Sequence, residues 1–291
     1  PLDVVGGAGL GFAVGAVFRL GVGTPTGRPE PSRVEAALRR IGLPLATLEA
    51  AQVPAHVSAP YRARLEDDSE VFVKLVAEEM PDRDLIYRAW RAVTRRRSKH
   101  EQRFRSPRSQ VDHEAALALA AERAGVRTPQ VLAARSLDGG TGMLAFRWLD
   151  GQSLEAAASV SRDDLVAFWQ QVDTLHAAGI AHGGLAAANV ILGADGPWLV
   201  DFGYAEMMAD QLLLDEDVLE ALISLGLRFG PDETLSSALD VLGPDRLDSA
   251  LAHGHDGRLS PATTQELRNQ PEILDQLAAT RQRAAQRPEA S

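Results

Sequence analysis

Hydrophobic and polar positions follow three patterns along the chain. From Val4 to Phe18 every residue is apolar or glycine, and Leu20 to Gly23 carry the run past Arg19. A membrane-crossing helix needs roughly 20 apolar residues, so the run is short unless Arg19 snorkels to the interface. Gly7, Gly11 and Gly15 stand four apart, a spacing that gives an apolar helix a smooth face for close packing. So many glycines would make a poor helix in water. The expectation is a membrane helix over residues 1–23, with a glycine-rich buried segment as the alternative. The acidic flank at Asp3 and the absence of an initiator methionine speak against a signal peptide. A chain that opens on Pro1 is expected to be a fragment or a processed form.

After a Gly/Pro/Thr-rich linker, Pro31-Ser32 opens a short helix through Arg40, stopped by Gly42 and Pro44. Alternation then takes over from Ala46. Tyr61–Leu65 and Glu70–Val76 alternate around the turn Glu66-Asp67-Asp68-Ser69, which predicts a hairpin. Leu85, Ile86, Trp90 and Val93 give 84–97 a helical spacing, and 95–108 reads as a basic loop. A helix is predicted over Val111–Ala124, ended by Gly125. Strands are predicted at Val131–Ala134 and Met143–Trp148, around the turn at Asp138-Gly139-Gly140. Beyond this point helical periodicity dominates. Ser161 caps a helix over Arg162–Ala178, Trp198–Val200 is a short strand, and the chain from Leu212 onward is mostly helical. Strands with one helix, followed by mostly helices, make an α+β arrangement with segregated lobes. The expected divisions are a linker and short helix (24–45), an N-lobe (46–147), a C-lobe (148–285) and a tail (286–291).

Composition narrows the chemistry. There is no cysteine, which excludes disulfides, thiolate metal sites and cysteine nucleophiles. A net charge of −10 argues against general nucleic-acid binding. The average hides a basic block, because Asp82 to Arg108 holds ten Lys or Arg against three Asp or Glu. A local anionic partner is expected there, and anionic lipid at Arg95, Arg96 and Arg97 is the sharpest version of that expectation.

The informative motif runs from Leu175 to Leu192, LHAAGIAHGGLAAANVIL, with Asp201-Phe202-Gly203 nine residues further on. It resembles the catalytic segment of the protein-kinase superfamily, closest in flavour to aminoglycoside-phosphotransferase-like kinases. The family pattern is His-x-Asp, four residues, Asn, a strand and Asp-Phe-Gly. His182, Asn189 and Asp201 match, and Gly184 stands where the family has its catalytic-base aspartate. The resemblance implies a bilobal kinase-like fold of N-lobe antiparallel sheet plus helix and mostly helical C-lobe, preceded here by the apolar helix.

It also implies site residues. Asn189 and Asp201 would ligate Mg²⁺. Lys74, in Val71-Phe72-Val73-Lys74, would contact ATP phosphates and pair with Glu114. Met143–Gly151 would be the hinge, with Arg147 and Leu149 meeting adenine. Asp217 would brace the catalytic loop. His182 is expected to pack that loop against the core. His253 and His255 are expected to face solvent.

Two departures bear on activity. Gly184 cannot accept a proton, and the stretch Ala55–Pro60, where the family often places phosphate-covering glycines, has none. A positioned general base is worth about 10²–10⁴ in rate, so the expectation is a pseudokinase that retains ATP and Mg²⁺ sites. The alternatives are a weakly active or unconventional phosphotransferase and a scaffold that binds no nucleotide. Asp195 and Glu206 are the acids to examine as replacement bases. The order of elements, with YRARLEDDSEVFVKLV, HEAALALAAERAGVRTPQVL and DGPWLVDFGYAE, further resembles the kinase-like portion of bacterial membrane proteins that carry a lysylphosphatidylglycerol-synthase-type (flippase-like) transmembrane region. That resemblance implies an inner-membrane location, a kinase-like domain on the cytoplasmic side, and further membrane domains as partners.

Overall fold

The computed structural model describes residues 31–51, 60–76, 106–137, 140–253 and 259–286. The apolar run Val4–Phe18, the helix expected over 84–97, Arg95–Arg97 and the glycine-free stretch at 55–59 lie outside the described residues. Among the described residues no helix is long and apolar enough to cross a membrane.

The N-lobe begins with α1 (Pro31–Arg40), followed by β1 (Leu45–Ala50), β2 (Tyr61–Leu65) and β3 (Glu70–Val76). Then come α2 (Pro107–Arg123), β4 (Val131–Ser136) and β5 (Gly142–Arg147). The five strands form one antiparallel sheet in the order β1-β2-β3-β5-β4. Alternation along β3 sorts its two faces. Val71, Val73 and Leu75 point into a core with Val34 and Leu38 of α1 and Met143 and Ala145 of β5. Phe72 and Val76 join the other core, with Val111, Ala115 and Ala118 of α2. Lys74 therefore faces α2, while the neighbours on either side of it anchor the strand from the opposite face.

The helix expected from Val111 starts four residues earlier, at Pro107. Ser106 is its N-cap, accepting from Ser109 N, and the Ser109 side chain answers to the Ser106 backbone in a capping box. Proline at the first helical position costs no hydrogen bond there. The basic run therefore gives way to helix before Arg108. The strand expected over Met143–Trp148 stops at Arg147, and that expected over Trp198–Val200 runs over Gly196–Leu199.

The second lobe carries β6 (Gln152–Ser153), α3 (Arg162–Ala177), β7 (Ile180–Ala181), β8 (Val190–Gly193), β9 (Gly196–Leu199) and β10 (Glu206–Met207). Four helices follow: α4 (Gln211–Phe229), α5 (Pro231–Ala252), α6 (Pro261–Asn269) and α7 (Glu272–Ala285). Ser161, Asp210 and Ser260 cap α3, α4 and α6 through bonds from the N–H three residues on. Helix α4 is buried from Asp215 to Gly226, because α5, α6, α7 and the loop after β7 surround it. Helix α5 kinks at Gly243 (φ 76°), ahead of Pro244. The hairpin β8–β9, paired as Val190 with Leu199, ends with Val200 N donating to Asn189 O at 3.0 Å. Asn189 and Asp201 are thereby held at the same open end of one hairpin.

Candidate active site

Lys74 sits between two carboxylates. Its Nζ donates to Glu114 Oε1 and Oε2 at 3.0 and 2.9 Å and to Asp201 Oδ1 at 2.7 Å. Glu114 is buried, with its side chain 1% exposed, whereas the Asp201 side chain is 43% exposed at the cleft. One ammonium is thus shared by two acids of unlike surroundings. Burial works to lower the Lys74 pKa, but the Asp201 and Glu114 carboxylates outweigh it and hold the ammonium above its ordinary value. Burial pushes Glu114 up to about 7 against the pull of Lys74. For Asp201 the desolvation of its inner side would raise the pKa, and Lys74 more than offsets it and keeps the carboxyl below its ordinary range. At neutral pH the cleft therefore presents an ionised Asp201.

The backbone around Asp201 is adapted to that placement. Asp201 adopts left-handed φ/ψ of 68° and 65°, a conformation Asp tolerates better than most side chains. At Gly203 an added Cβ would come within 3.3 Å of Asp201 Oδ1 and 3.5 Å of Glu114 Oε2, so glycine lets the two acids close around the lysine. His113, beside Glu114 on α2, bonds Ala205 O through Nε2 at 2.9 Å. Helix α2 thus grips both the lysine and the segment after Phe202.

The loop between β7 and β8 holds the remaining motif residues. Asn189 Nδ2 donates to Gly184 O at 2.8 Å, which leaves its amide oxygen as the acceptor. Asp217 of α4 accepts from His182 N at 2.5 Å and Gly183 N at 2.8 Å, bracing the loop from below. His176 Nε2 reaches the same carboxylate at 3.2 Å, and its Nδ1 meets Arg246 Nη2 at 2.8 Å. A guanidinium only donates, so Nδ1 accepts and Nε2 carries the hydrogen given to Asp217. His182 is fully buried, donates from Nε2 to Val200 O at 3.1 Å, and lies 4.8 Å from the Phe202 ring. Burial lowers its pKa. A buried, neutral ring held against the core packs the loop and is not placed to move a proton.

The residues expected at the adenine side divide. The N–H groups of Arg147 and Trp148 are already given to Gln130 O and Glu70 O, each at 2.9 Å. The Arg147 side chain is exposed and donates from Nε to Gln130 Oε1 at 3.2 Å. Half-buried Leu149 is the next hinge position along. An aromatic feature not anticipated from the sequence stands here. The Phe72 and Trp148 rings are 6.4 Å apart, and the Arg62 guanidinium lies 4.3 Å over Trp148. Phe72 is two residues before Lys74 and so shares its face of the sheet, a period-2 signal that the sequence contains.

Of the two acids considered as replacement bases, Asp195 is remote from the motif loop. Asp195 lies in the β8–β9 turn, at the opposite tip of the hairpin from Asn189 and Asp201, where it accepts from Trp198 Nε1 at 2.9 Å. Glu206 pairs opposite Ala181 in the β10–β7 ladder and has a partner of its own. His253 is half exposed, 3.7 Å from Asp215 through Nε2; His255 lies outside the described residues.

Among solved structures, a protein described as a fructosamine-3-kinase from Haemophilus somnus 129PT superposes with a TM-score of 0.53 at 11% identity, covering 87% of this chain and 96% of its own. Another so described, from Thermobifida fusca YX-ER1, superposes at 0.50 and 15%, covering 87% and 99%. The fold is protein-kinase-like. At these identities the likeness concerns the fold alone. A Rio2 kinase from Chaetomium thermophilum, solved with ADP, Mg²⁺ and phosphoaspartate, gives a TM-score of 0.49 at 14% identity, covering 95% of this chain and 86% of its own. No family model matches the chain, and no curated protein matches it.

Proposed function

We propose that this chain is a kinase-like regulatory domain that binds ATP–Mg²⁺ in the cleft between its lobes and does not turn it over. The observation that carries the reading is a contrast within one site. Lys74, Glu114 and Asp201 form a closed ion-pair set, while the base position beside them is Gly184.

The residues fit the cofactor. Asn189 and Asp201 offer oxygen donors from one end of a hairpin, the hard ligand type that Mg²⁺ takes. Among the described residues no cluster of three or more His, Asp or Glu forms a metal cage. Two protein ligands are what a nucleotide-borne Mg²⁺ uses, since phosphates and water supply the others. When bound, the ion neutralises phosphate charge. Lys74 then holds a cation at the phosphates on an arm fixed by Glu114, and Phe72 with Trp148 offers an apolar aromatic wall for a purine. Phosphoryl transfer rests mostly on such positioning, so a weakly active phosphotransferase is the second reading, supported by how much of the set is intact. The membrane attachment expected from Val4–Phe18 belongs to this proposal and would place the domain at a membrane surface.

Incubation with radiolabelled ATP separates the two readings. For the regulatory domain, hydrolysis and transfer stay at the level of an Asp201→Ala control, while ATP binding is lost in Lys74→Met and weakened roughly tenfold or more in Phe72→Ala. Turnover that the control abolishes overturns the regulatory reading in favour of the phosphotransferase.

A further inference from the structure

A second concavity lies on the far side of the N-lobe sheet from Lys74. It is a cavity of about 430 Å³ between α1 and the end of the edge strand β4. Buried Val34 and Leu38 seat α1 on the sheet. The helix then turns Arg33, Ala36, Ala37 and Arg40 toward the cavity, a spacing of i, i+3, i+4 and i+7 that defines one face. The two small alanines leave the space open and the two arginines stand at its ends, about 10 Å apart along the helix axis at 1.5 Å per residue. Arg135 and Ser136 close the cavity from β4.

The charge of this lining opposes that of the chain. The sequence has 40 Asp and Glu, yet among the described residues no acid lines the cavity, which three arginines do. Glu35, the one acid on α1, pairs with Arg39 at 2.9 Å instead. Arg33, Arg40 and Arg135 make no ion pair with any described residue. Like charges around one hollow repel, and an ionic ligand relieves that repulsion. Guanidinium groups match phosphate oxygens in bidentate geometry.

We infer that this cavity is a binding site for a phosphate-bearing ligand, held by Arg33, Arg40 and Arg135 and separate from the nucleotide cleft. The phosphate has two sources, a soluble phosphate ester or an anionic lipid headgroup, since the apolar run Val4–Phe18 precedes α1 by a short linker.

The test uses the full chain carrying Lys74→Met, which removes the cleft lysine as a competing phosphate site. Inorganic pyrophosphate is titrated by calorimetry in one arm. In the other, sedimentation is measured with vesicles of 30% phosphatidylglycerol in phosphatidylcholine against pure phosphatidylcholine. Each arm is repeated in Arg40→Gln and Arg135→Gln, and in Ala36→Phe, which fills the hollow but keeps every charge. All three sites are at the surface, and unchanged melting confirms folding. Each arginine change is expected to weaken binding roughly tenfold or more, the loss of a charge-assisted pair, and Ala36→Phe to weaken it likewise. That pattern with pyrophosphate assigns a soluble phosphate, and with phosphatidylglycerol vesicles a headgroup; both uphold the site. Binding that the arginine changes leave untouched in both arms overturns it. So does binding that they reduce but Ala36→Phe does not, which marks diffuse charge attraction and no cavity.

Discussion

Adjacent glycines in the loop after β7 obey different constraints. Gly183 has φ of 72°, and a Cβ there would come within 2.3 Å of Tyr204 O. Backbone conformation and close approach both demand glycine. Gly184 has neither constraint; the one nearby atom is Asn189 Nδ2, at 3.6 Å from a built Cβ. A Cβ fits at Gly184, although the residue is buried, so neither backbone conformation nor close approach at that atom requires glycine there. Gly183→Ala should destabilise the chain by about 2 kcal/mol or more, through strain and overpacking, read as a lowered denaturant midpoint. Gly184→Asp should still fold, with the midpoint lowered less than in Gly183→Ala, since the buried carboxylate meets a desolvation cost but no backbone strain. It should raise ATP hydrolysis up to about 10²-fold, toward the value of a positioned base. An unchanged hydrolysis rate in a folded Gly184→Asp chain would show that more than the base is absent.

At the scale of elements, α4 ties the second lobe together through buried acids. Asp217 holds the loop of His182 and Gly183, while Glu220, one turn on, accepts from Thr263 Oγ1 at 2.8 Å and from Ser260 N at 3.2 Å. Ser260 is the N-cap of α6, so Glu220 fastens the start of that helix. Burial raises the Glu220 pKa from an ordinary 4.5 to about 6. The folded chain therefore keeps this proton over a range where the unfolded chain has lost it. Its stabilising contribution is full below about pH 4.5 and is lost as pH rises to about 6, up to roughly 2 kcal/mol. Glu220→Gln keeps a hydrogen-bond acceptor and removes the titration. The parent chain should lose stability relative to Glu220→Gln between pH 4.5 and 6 in chemical unfolding, and parallel curves would count against this account of Glu220.

The element scale also marks where sequence reading reaches. The β2–β3 hairpin, α3 with its Ser161 cap and the helices after Leu212 were legible because alternation, helical period and caps are local signals. The site motif was legible for a related reason. Asn189 and Asp201 flank one short hairpin, and Asp217 follows on the next helix, so chain order nearly equals spatial order. The start of α2 is hidden in the sequence because Arg108 prolongs a basic run that includes the Ser106-Pro107 cap signal. Contacts spanning many residues had no local mark. The Arg246–His176–Asp217 connection joins three helices, and the arginine-lined cavity needs α1 and β4 to meet.

For the whole molecule, two lobes share the work of one cleft. The sheet and α2 supply Lys74 and Glu114, while the β8–β9 hairpin and α4 supply Asn189, Asp201 and the brace beneath Gly183. The ion pair from Lys74 to Asp201 crosses between them, and bound Mg²⁺ and phosphates would take over both partners. Ligand binding to the folded state alone raises stability by about 2.7 kcal/mol at 100 times Kd. The most direct measurement is the melting temperature of the full chain as ATP is titrated to millimolar levels, with and without Mg²⁺, in the parent and in Asp201→Ala. A rise of several degrees that needs Mg²⁺ and disappears in Asp201→Ala is the predicted result. No shift at millimolar ATP in the presence of Mg²⁺ would contradict nucleotide binding in the cleft and leave a domain that uses the fold without its ligand.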